Sequence, residues 1–331
     1  MKLKKCAALL LVSSCLLTGC TTSSAKKVDS KYVVASLEKG NKTKNIFADN
    51  LYKDIIDNSS NNSTVFNAVL QNLVDQKFPV NDDMKEDAAT IIKQIKSAYK
   101  SNYGDNYKDS LNQALTSAGY KNLSEYRQKM IKQIQYANFL LDYIDDHIDD
   151  VFNDYYQQCA PKYVSLIKIS VSDTSSPTDD ETSKLNEVKE LISNTDKSFG
   201  DIAQDYSNDS TSSKKGSLGI VDSKDTSGIA NSYGKDVFNA IEALSEGQVS
   251  DVITGDNGYY FVKVTSTDKK TLKKELKKTD IDSPLLAYDD YLQYVVYNSY
   301  KINYKDKDIK KIVQEVVNKA LEERKTERGE A

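Results

Sequence analysis

The chain has 331 residues, and its 45 basic and 49 acidic side chains give a formal charge of −4 at pH 7. Charges of both signs are mixed along the chain, so it offers no basic surface of the kind that binds nucleic acid. A single histidine excludes a zinc site built from several imidazoles, and the length is sufficient for two domains.

Residues 1–19 have the pattern of a secretory signal peptide, in which MKLKK precedes the short apolar run CAALLLVSSCLL. The segment ends in LTG followed by Cys20, which resembles the lipobox of bacterial lipoproteins. The resemblance implies that Cys20 becomes a lipidated N-terminus, and the alternative is an ordinary signal peptide followed by a chance cysteine. No later segment approaches the roughly 20 apolar residues of a transmembrane helix. We therefore expect a protein held by lipid on the outer face of a bacterial cell membrane.

After a polar tether at residues 20–31, residues 32–158 are predicted to form a helical domain. A brief strand and a turn lead into helices whose apolar residues recur at steps of three and four. The first clear stripe consists of Val65, Phe66, Val69, Leu70, Leu73 and Val74. The last helix begins at a capping Asn122, with Glu125 three residues on, and carries Tyr126, Met130, Ile134, Ala137, Leu141, Ile144 and Ile148.

At residues 159–268 the spacing of apolar residues changes from helical to alternating. In KYVSLIKISV, one side of the predicted strand holds Ile167, Ile169 and Val171, and the other holds Val164, Leu166 and Lys168. Two helices, glycine-bearing segments, a short helix at Lys235 to Leu244 and the closing strand GYYFVKVTS complete this unit. The sequence therefore predicts an α+β fold, in which an α+β domain with a small antiparallel sheet is inserted into a helical domain. Residues 269–331 return to helix and are expected to pack on the N-terminal domain.

The inserted domain carries an ordered set of motifs, SFGDIAQDYSNDSTSSKKGSLG and then ALSEGQVSDVITGDNGYYFVKV. Together they resemble the parvulin family of peptidyl-prolyl isomerases. With the lipobox and the early segment VVASLEKGNKTKNIFADNLYKDII, the chain resembles PrsA-type foldases over nearly all of its mature length. The resemblance implies a helical region that cradles substrate and a parvulin domain that acts on X-Pro bonds, without a cofactor. The implied partners are unfolded exported polypeptides and, through the lipid, the membrane. Whether the chain also forms a homodimer stays an open question.

By the same resemblance, active parvulins place two facing histidines on the first and last strands, with an Asp or Cys between them. The first position falls at Leu166, or at Lys168 if the strand slips by two residues. The last position falls at Tyr260 and the acidic one at Ser217. The predicted catalytic positions Tyr260, Ser217 and Leu166 are thus all altered.

The resemblance also assigns the residues that would contact the substrate proline. Val237 or Phe238 stands where a phenylalanine is usual, and Tyr259 is a further predicted substrate contact. By this resemblance the aromatic residue of the proline pocket is altered as well.

The only histidine, His147, lies in the aspartate-rich segment YIDDHIDDVF. Asp150 falls on the same helical face, so a metal site is one interpretation. No second histidine can complete a zinc site, and a solvated residue at a helix end is the interpretation we favour. We predict no metal site.

Two functions follow from an intact family scaffold whose histidines are absent. The first is an extracytoplasmic foldase or chaperone that assists the folding of secreted proteins, with weak or lost isomerase activity. The alternative is an active isomerase that uses Tyr260, Tyr259 and Ser217 as a substitute site, so enzymatic activity stays an open question. A surface lipoprotein that recruits one specific partner is a third hypothesis.

Overall fold

The computed structural model describes most of the chain after the predicted signal peptide. The described residues are 27–39, 42–194, 196–276 and 281–330, with the backbone alone described for 37–39, 42 and 43. Cys20 and the predicted signal peptide lie outside them. Within these ranges, no helix combines the length and the apolar character that crossing a membrane requires.

In chain order, the strands and helices of the described residues are β1 (Lys27–Val28), β2 (Lys31–Lys39), β3 (Lys42–Phe47), α1 (Ala48–Ile56), α2 (Asn62–Lys77), α3 (Asp82–Tyr103), α4 (Tyr107–Ser117), α5 (Leu123–Asp146), α6 (Ile148–Cys159), β4 (Lys162–Ser170), α7 (Asp179–Asn194), α8 (Phe199–Tyr206), β5 (Ser217–Val221), α9 (Ile229–Tyr233), α10 (Lys235–Ala243), β6 (Ile253–Gly255), β7 (Gly258–Ser266), α11 (Lys269–Leu276), α12 (Leu292–Ser299) and α13 (Lys307–Glu327). Helices and small antiparallel sheets are combined, which confirms the predicted α+β class.

The described residues form two compact units. The terminal unit contains residues 27–80 and 291–330, and the central unit contains residues 81–290. The predicted domain boundaries, after residues 158 and 268, mark changes between helix and sheet and do not coincide with these units. The division into helical, parvulin-like and C-terminal parts stays a prediction.

In the terminal unit, α13 packs along α2. The side chain of Asp306 caps α13 by accepting from the backbone N–H groups of Asp308 at 2.8 Å and Ile309 at 3.0 Å. The ring of Phe66 on α2 stacks on Tyr294 of α12, with 5.0 Å between centroids. The buried residues of the two long helices follow helical spacing and are Val65, Phe66, Leu70, Val74, Ile312, Val313, Val317 and Ala320.

In the central unit, α3 packs against α4 and α5, and α5 leads into α6. The predicted cap of α5 is present, since the Asn122 side chain accepts from the Glu125 N–H at 2.9 Å. The Glu125 carboxylate accepts in turn from the Lys121 N–H at 2.7 Å. The helix ends at Asp146, and α6 begins directly after His147.

The sheet of the central unit has the strand order β5-β4-β7-β6, and every pair is antiparallel. One face is covered by α9 and α10 over a core of Val164, Leu166, Val221, Ile229, Val237, Ile241, Tyr260 and Val262. The other face is covered by α7 and α8 over Ile167, Ile169, Leu185, Val188, Phe199, Ile202, Ala203 and Phe261. Alternate residues of β4 thus enter opposite cores, as the alternation in the sequence predicts.

The backbone at Gly216, just before β5, requires a glycine. Its φ is +74°, and a Cβ at this position would collide with the carbonyl oxygen of Leu166. The Gly216 carbonyl accepts from the Leu166 N–H at 2.8 Å. Only glycine permits both this backbone conformation and the close approach.

Candidate functional site

The pairing of β4 with β7 decides which residue faces Tyr260. Tyr260 lies opposite Lys168, and Leu166 lies opposite Val262. Leu166 is fully buried in the core beneath α9 and α10. Of the two positions predicted for the first polar group, Lys168 is the one that faces Tyr260, whereas Leu166 is a core residue.

Lys168 and Tyr260 share a hydrogen-bond acceptor in the turn between β6 and β7. The Oδ1 atom of Asn257 accepts from the Lys168 ammonium at 2.9 Å and from the Tyr260 hydroxyl at 2.8 Å. The Lys168 Nζ atom also lies 5.6 Å from the centroid of the Tyr260 ring, within range of a cation–π interaction. Tyr260 as a whole is only 3% exposed, so its ring face is closed to a ligand.

A second tyrosine and a carboxylate complete this group. The Tyr233 ring meets Tyr260 edge-on, with centroids 6.2 Å apart, and its hydroxyl donates to Asp209 Oδ1 at 3.3 Å. We call Lys168, Asp209, Tyr233, Asn257 and Tyr260 the Tyr260 cluster.

The loop after α8 holds Asp209 near the end of β4. The Lys168 carbonyl accepts from the Asn208 N–H at 2.7 Å, and the Lys168 N–H donates to the Ser207 hydroxyl at 3.0 Å. These two bonds fix the loop to the strand next to Asp209.

Sequence reasoning did not select Asp209 or Tyr233. Asp209 is almost fully buried, and its Oδ1 atom also accepts from the N–H of Thr211 at 2.9 Å and from the Thr211 hydroxyl at 2.8 Å. This Asp-x-Thr turn is a local signal for a structured aspartate. Its contact with Tyr233 joins residues 24 apart, and nothing in the local pattern indicates that pairing.

The surroundings of Tyr233 and Tyr260 raise the pKa of both hydroxyl groups. Burial raises the pKa of Tyr233, and the nearby carboxylate of Asp209 adds to the shift. Burial also raises the pKa of Tyr260, with smaller contributions from Asp209 and Asp256. At neutral pH both tyrosines therefore act as hydrogen-bond donors and do not supply a base.

Two predicted site residues point away from the cluster. Ser217 pairs with Ser165, and its hydroxyl donates to the Tyr163 hydroxyl at 2.9 Å. Tyr259 packs against the core beneath α7 and α8, because adjacent residues of a strand point to opposite faces. The structure therefore does not bring Ser217 or Tyr259 together with Tyr260.

The two residues predicted for the proline pocket lie on α10. Val237 is 1% exposed and forms part of the core, whereas Phe238 is half-buried at the edge of that core. Of the two, only Phe238 has surface that a substrate could contact. The end of α10 is fixed by the Lys162 ammonium, which donates to the carbonyl oxygens of Ile241, Glu242 and Leu244 at 3.0, 2.7 and 3.0 Å.

His147 lies outside this arrangement, at the junction of α5 and α6. Its ring stacks on Tyr143 with centroids 4.1 Å apart, and its Nδ1 atom lies 2.9 Å from the Tyr143 carbonyl oxygen. The residue is exposed. In the part of the chain that is described, no three His, Cys, Asp or Glu residues come together as a metal site would require.

Comparison with known proteins identifies the class of the domain that contains the Tyr260 cluster. Residues 166–266 match the Rotamase family, the PPIC-type PPIase domain, and these residues are therefore a parvulin-type domain. The match includes β4 from Leu166 onward, all of β7 and every member of the Tyr260 cluster.

The curated relatives make the assignment more specific. The chain is 32% identical over 141 residues to foldase protein PrsA from Staphylococcus epidermidis and from Staphylococcus aureus. Each match covers 40% of this chain and 41% of the relative, so the chain spans about two fifths of the length of these proteins. The crystal structure of PrsA from Bacillus subtilis is 21% identical, with a TM-score of 0.38 over 85% of this chain and 98% of that one. The similarity to these foldase proteins confirms the predicted resemblance to the PrsA type.

Proposed function

We propose that this chain is a lipid-anchored foldase that assists exported polypeptides after translocation, and that its parvulin domain has weak or no prolyl isomerase activity. The observation that carries the proposal is the pairing of Tyr260 with Lys168 above a fully buried Leu166. Neither facing position holds an imidazole, and the one histidine of the chain stacks on Tyr143 at the end of α5.

Isomerisation depends on polar groups that stabilise a twisted X-Pro amide as it rotates. Unaided, these bonds interconvert over about 10–100 s at 25 °C. In the Tyr260 cluster, the Tyr260 hydroxyl and the Lys168 ammonium both donate to Asn257. The Tyr260 hydroxyl has a single proton, so a substrate carbonyl could accept from it only by displacing its bond to Asn257. The hydroxyl therefore stabilises the turn between β6 and β7.

The foldase role is supported by the relatives, which are named as foldase proteins. The membrane location is supported by the sequence that ends at Cys20, where a lipid would attach the chain without a spanning helix. Two acyl chains on one cysteine would suffice, since each buried methylene contributes about 0.8 kcal/mol. The partners would be unfolded polypeptides on the outer side of the membrane.

The test is an aggregation assay with the chain from Thr21, which retains every described residue. We expect it to slow the aggregation of an unfolded client while the rate of a proline-limited refolding step stays unchanged. Unhindered aggregation in the presence of excess chain would contradict the foldase role. Acceleration of the refolding step at catalytic concentrations would contradict the loss of isomerase activity.

A second candidate is an active isomerase that uses the Tyr260 cluster in place of the histidines. The observation that favours it is the convergence of two tyrosine hydroxyls, an ammonium and a buried carboxylate at one end of the sheet. If Tyr260 is a donor to the substrate, Tyr260→Phe will lower the isomerisation rate, because only the hydroxyl is removed. Ser217→Ala is the matched control, since that hydroxyl is directed to Tyr163, and it should leave any activity unchanged.

A further inference from the structure

The central unit has a surface groove whose lining residues do not belong to the Tyr260 cluster. It lies between α3 and the first turns of α5 and encloses about 510 Å³. Its floor is apolar, with Ile92 buried and Ala89 and Leu123 half-buried. The volume falls within the roughly 300–1,000 Å³ of typical ligand sites.

The rim of this groove is positively charged. Lys93 and Lys96 lie on the α3 side and Arg127 on the α5 side, and all three are exposed. None of the side chains that line the groove, all of them within the described residues, is acidic. This contrasts with the chain as a whole, whose net charge is −4.

The spacing of these residues produces one continuous surface. Ala89, Ile92, Lys93 and Lys96 are separated by three, one and three positions, which places them on one face of α3. Arg127 reaches toward the same helix, because its Nη2 atom donates to the carbonyl oxygen of Lys85 at 3.3 Å. That bond holds the guanidinium at the groove and leaves other N–H groups for a carboxylate.

We propose that this groove binds an acidic, extended segment of a client polypeptide, with an apolar side chain on the floor and carboxylates at the rim. An anion without an apolar group would leave the floor exposed to water. An apolar segment without carboxylates would desolvate the three cations without compensation. The choice of a client polypeptide as the occupant rests on the proposed foldase function.

The test measures the fluorescence anisotropy of labelled peptides with the chain from Thr21. The probe is a peptide of alternating Asp and Leu, and the controls replace every Asp with Asn or with Lys. We expect the Asp peptide to bind at least about tenfold more tightly than either control, and more weakly as salt is raised. The double variant Lys93→Glu, Lys96→Glu should lose about tenfold in affinity, on the scale of two exposed charge contacts.

The matched control variant is Lys108→Glu, an exposed lysine on α4 of the same unit, which should bind like the parent chain. Equal binding of the Asp and Asn peptides, or full affinity in the double variant, would overturn the proposal. Phosphatidylglycerol vesicles provide a further arm. Vesicle binding that depends on Lys93 and Lys96, in a chain that does not bind the Asp peptide, would assign the groove to a lipid surface instead.

The aggregation assay separates this inference from the proposed function. If the Asp peptide binds through the groove but the parent chain does not slow aggregation, the groove is a peptide site and the foldase proposal is wrong. If the parent chain slows aggregation but the Asp peptide does not bind, the foldase proposal stands and the groove inference is wrong.

Discussion

The two faces of the central sheet are built from the same strands but differ at one end. Beneath α7 and α8, the core is apolar along β4, with Ile167 and Ile169. Beneath α9 and α10, the core begins with Val164 and Leu166 and ends in the Tyr260 cluster. The difference shows that one face of a sheet can end in a polar cluster while the core on the other face stays apolar.

The largest effect on stability is expected at Leu166, a predicted catalytic position that is buried in the core. Leu166 and Ile169 are both fully buried, on opposite faces of β4. Leu166→Ala and Ile169→Ala should each lower the free energy of unfolding by about 2–5 kcal/mol, through lost burial and the cavity that remains. Urea unfolding followed by circular dichroism measures both.

The volume-conserving variant Leu166→Met is the control for this pair and should cost less than about 1.5 kcal/mol. If Leu166→Ala proved nearly neutral while Ile169→Ala did not, the face beneath α9 and α10 would be a ligand surface and not a core.

A smaller effect is expected at the anchor of α10. Lys162→Met keeps the length of the side chain but leaves three carbonyl oxygens without their ammonium donor. We expect a loss of about 1–3 kcal/mol of unfolding free energy. The control is Lys235→Met at the exposed start of the same helix, which should stay within about 0.5 kcal/mol of the parent. Equal effects at the two positions would show that the carbonyl bonds do not hold α10 in place.

The smallest effect is a pH dependence of stability at the start of α7, which covers the opposite face of the sheet from α10. The Glu181 carboxylate accepts from the backbone N–H groups of Thr178 at 2.8 Å and Ser172 at 2.7 Å. These bonds lower the pKa of Glu181 from 4.5 to about 2. Because the pKa is lower in the folded chain, the stabilisation is complete above about pH 4.5 and is lost as the pH falls toward 2.

The variant Glu181→Gln should therefore be less stable than the parent near neutral pH and equal to it near pH 2. Unfolding measured across this range tests the difference, and an NMR titration of Glu181 measures the pKa directly. A stability difference that stays constant down to pH 2 would contradict the assigned cause.

The faces of β4 could be predicted from the sequence, but its register could not. Alternation assigns Leu166 and Lys168 to the same side of the sheet, and a slip of two residues leaves that assignment unchanged. The register depends on an irregularity where Tyr163 pairs with Ser266 and Val164 pairs with Val264. This is a property of the paired strands, which the alternation of one strand does not contain.

Features that depend on a few neighbouring residues could be predicted from the sequence. The cap at Asn122 was predicted from the spacing of Asn122 and Glu125, and the structure has it. The sequence places His147 at the end of the long helix, and α5 ends at Asp146. The start of a second helix at Ile148 was not predicted, because the apolar stripe continues through Ile148 without a visible break. The contact of Asp209 with Tyr233 was missed because it depends on how α8 and α9 meet the sheet.

The central claim concerns isomerase activity, and the most direct measurement is a prolyl isomerisation assay on the chain from Thr21. The assay uses short peptides that vary the residue before proline. We predict that the rate stays at or near its uncatalysed value for every peptide, while circular dichroism shows the chain to be folded. A several-fold acceleration that Tyr260→Phe abolishes would contradict the loss of isomerase activity and assign catalysis to the Tyr260 cluster.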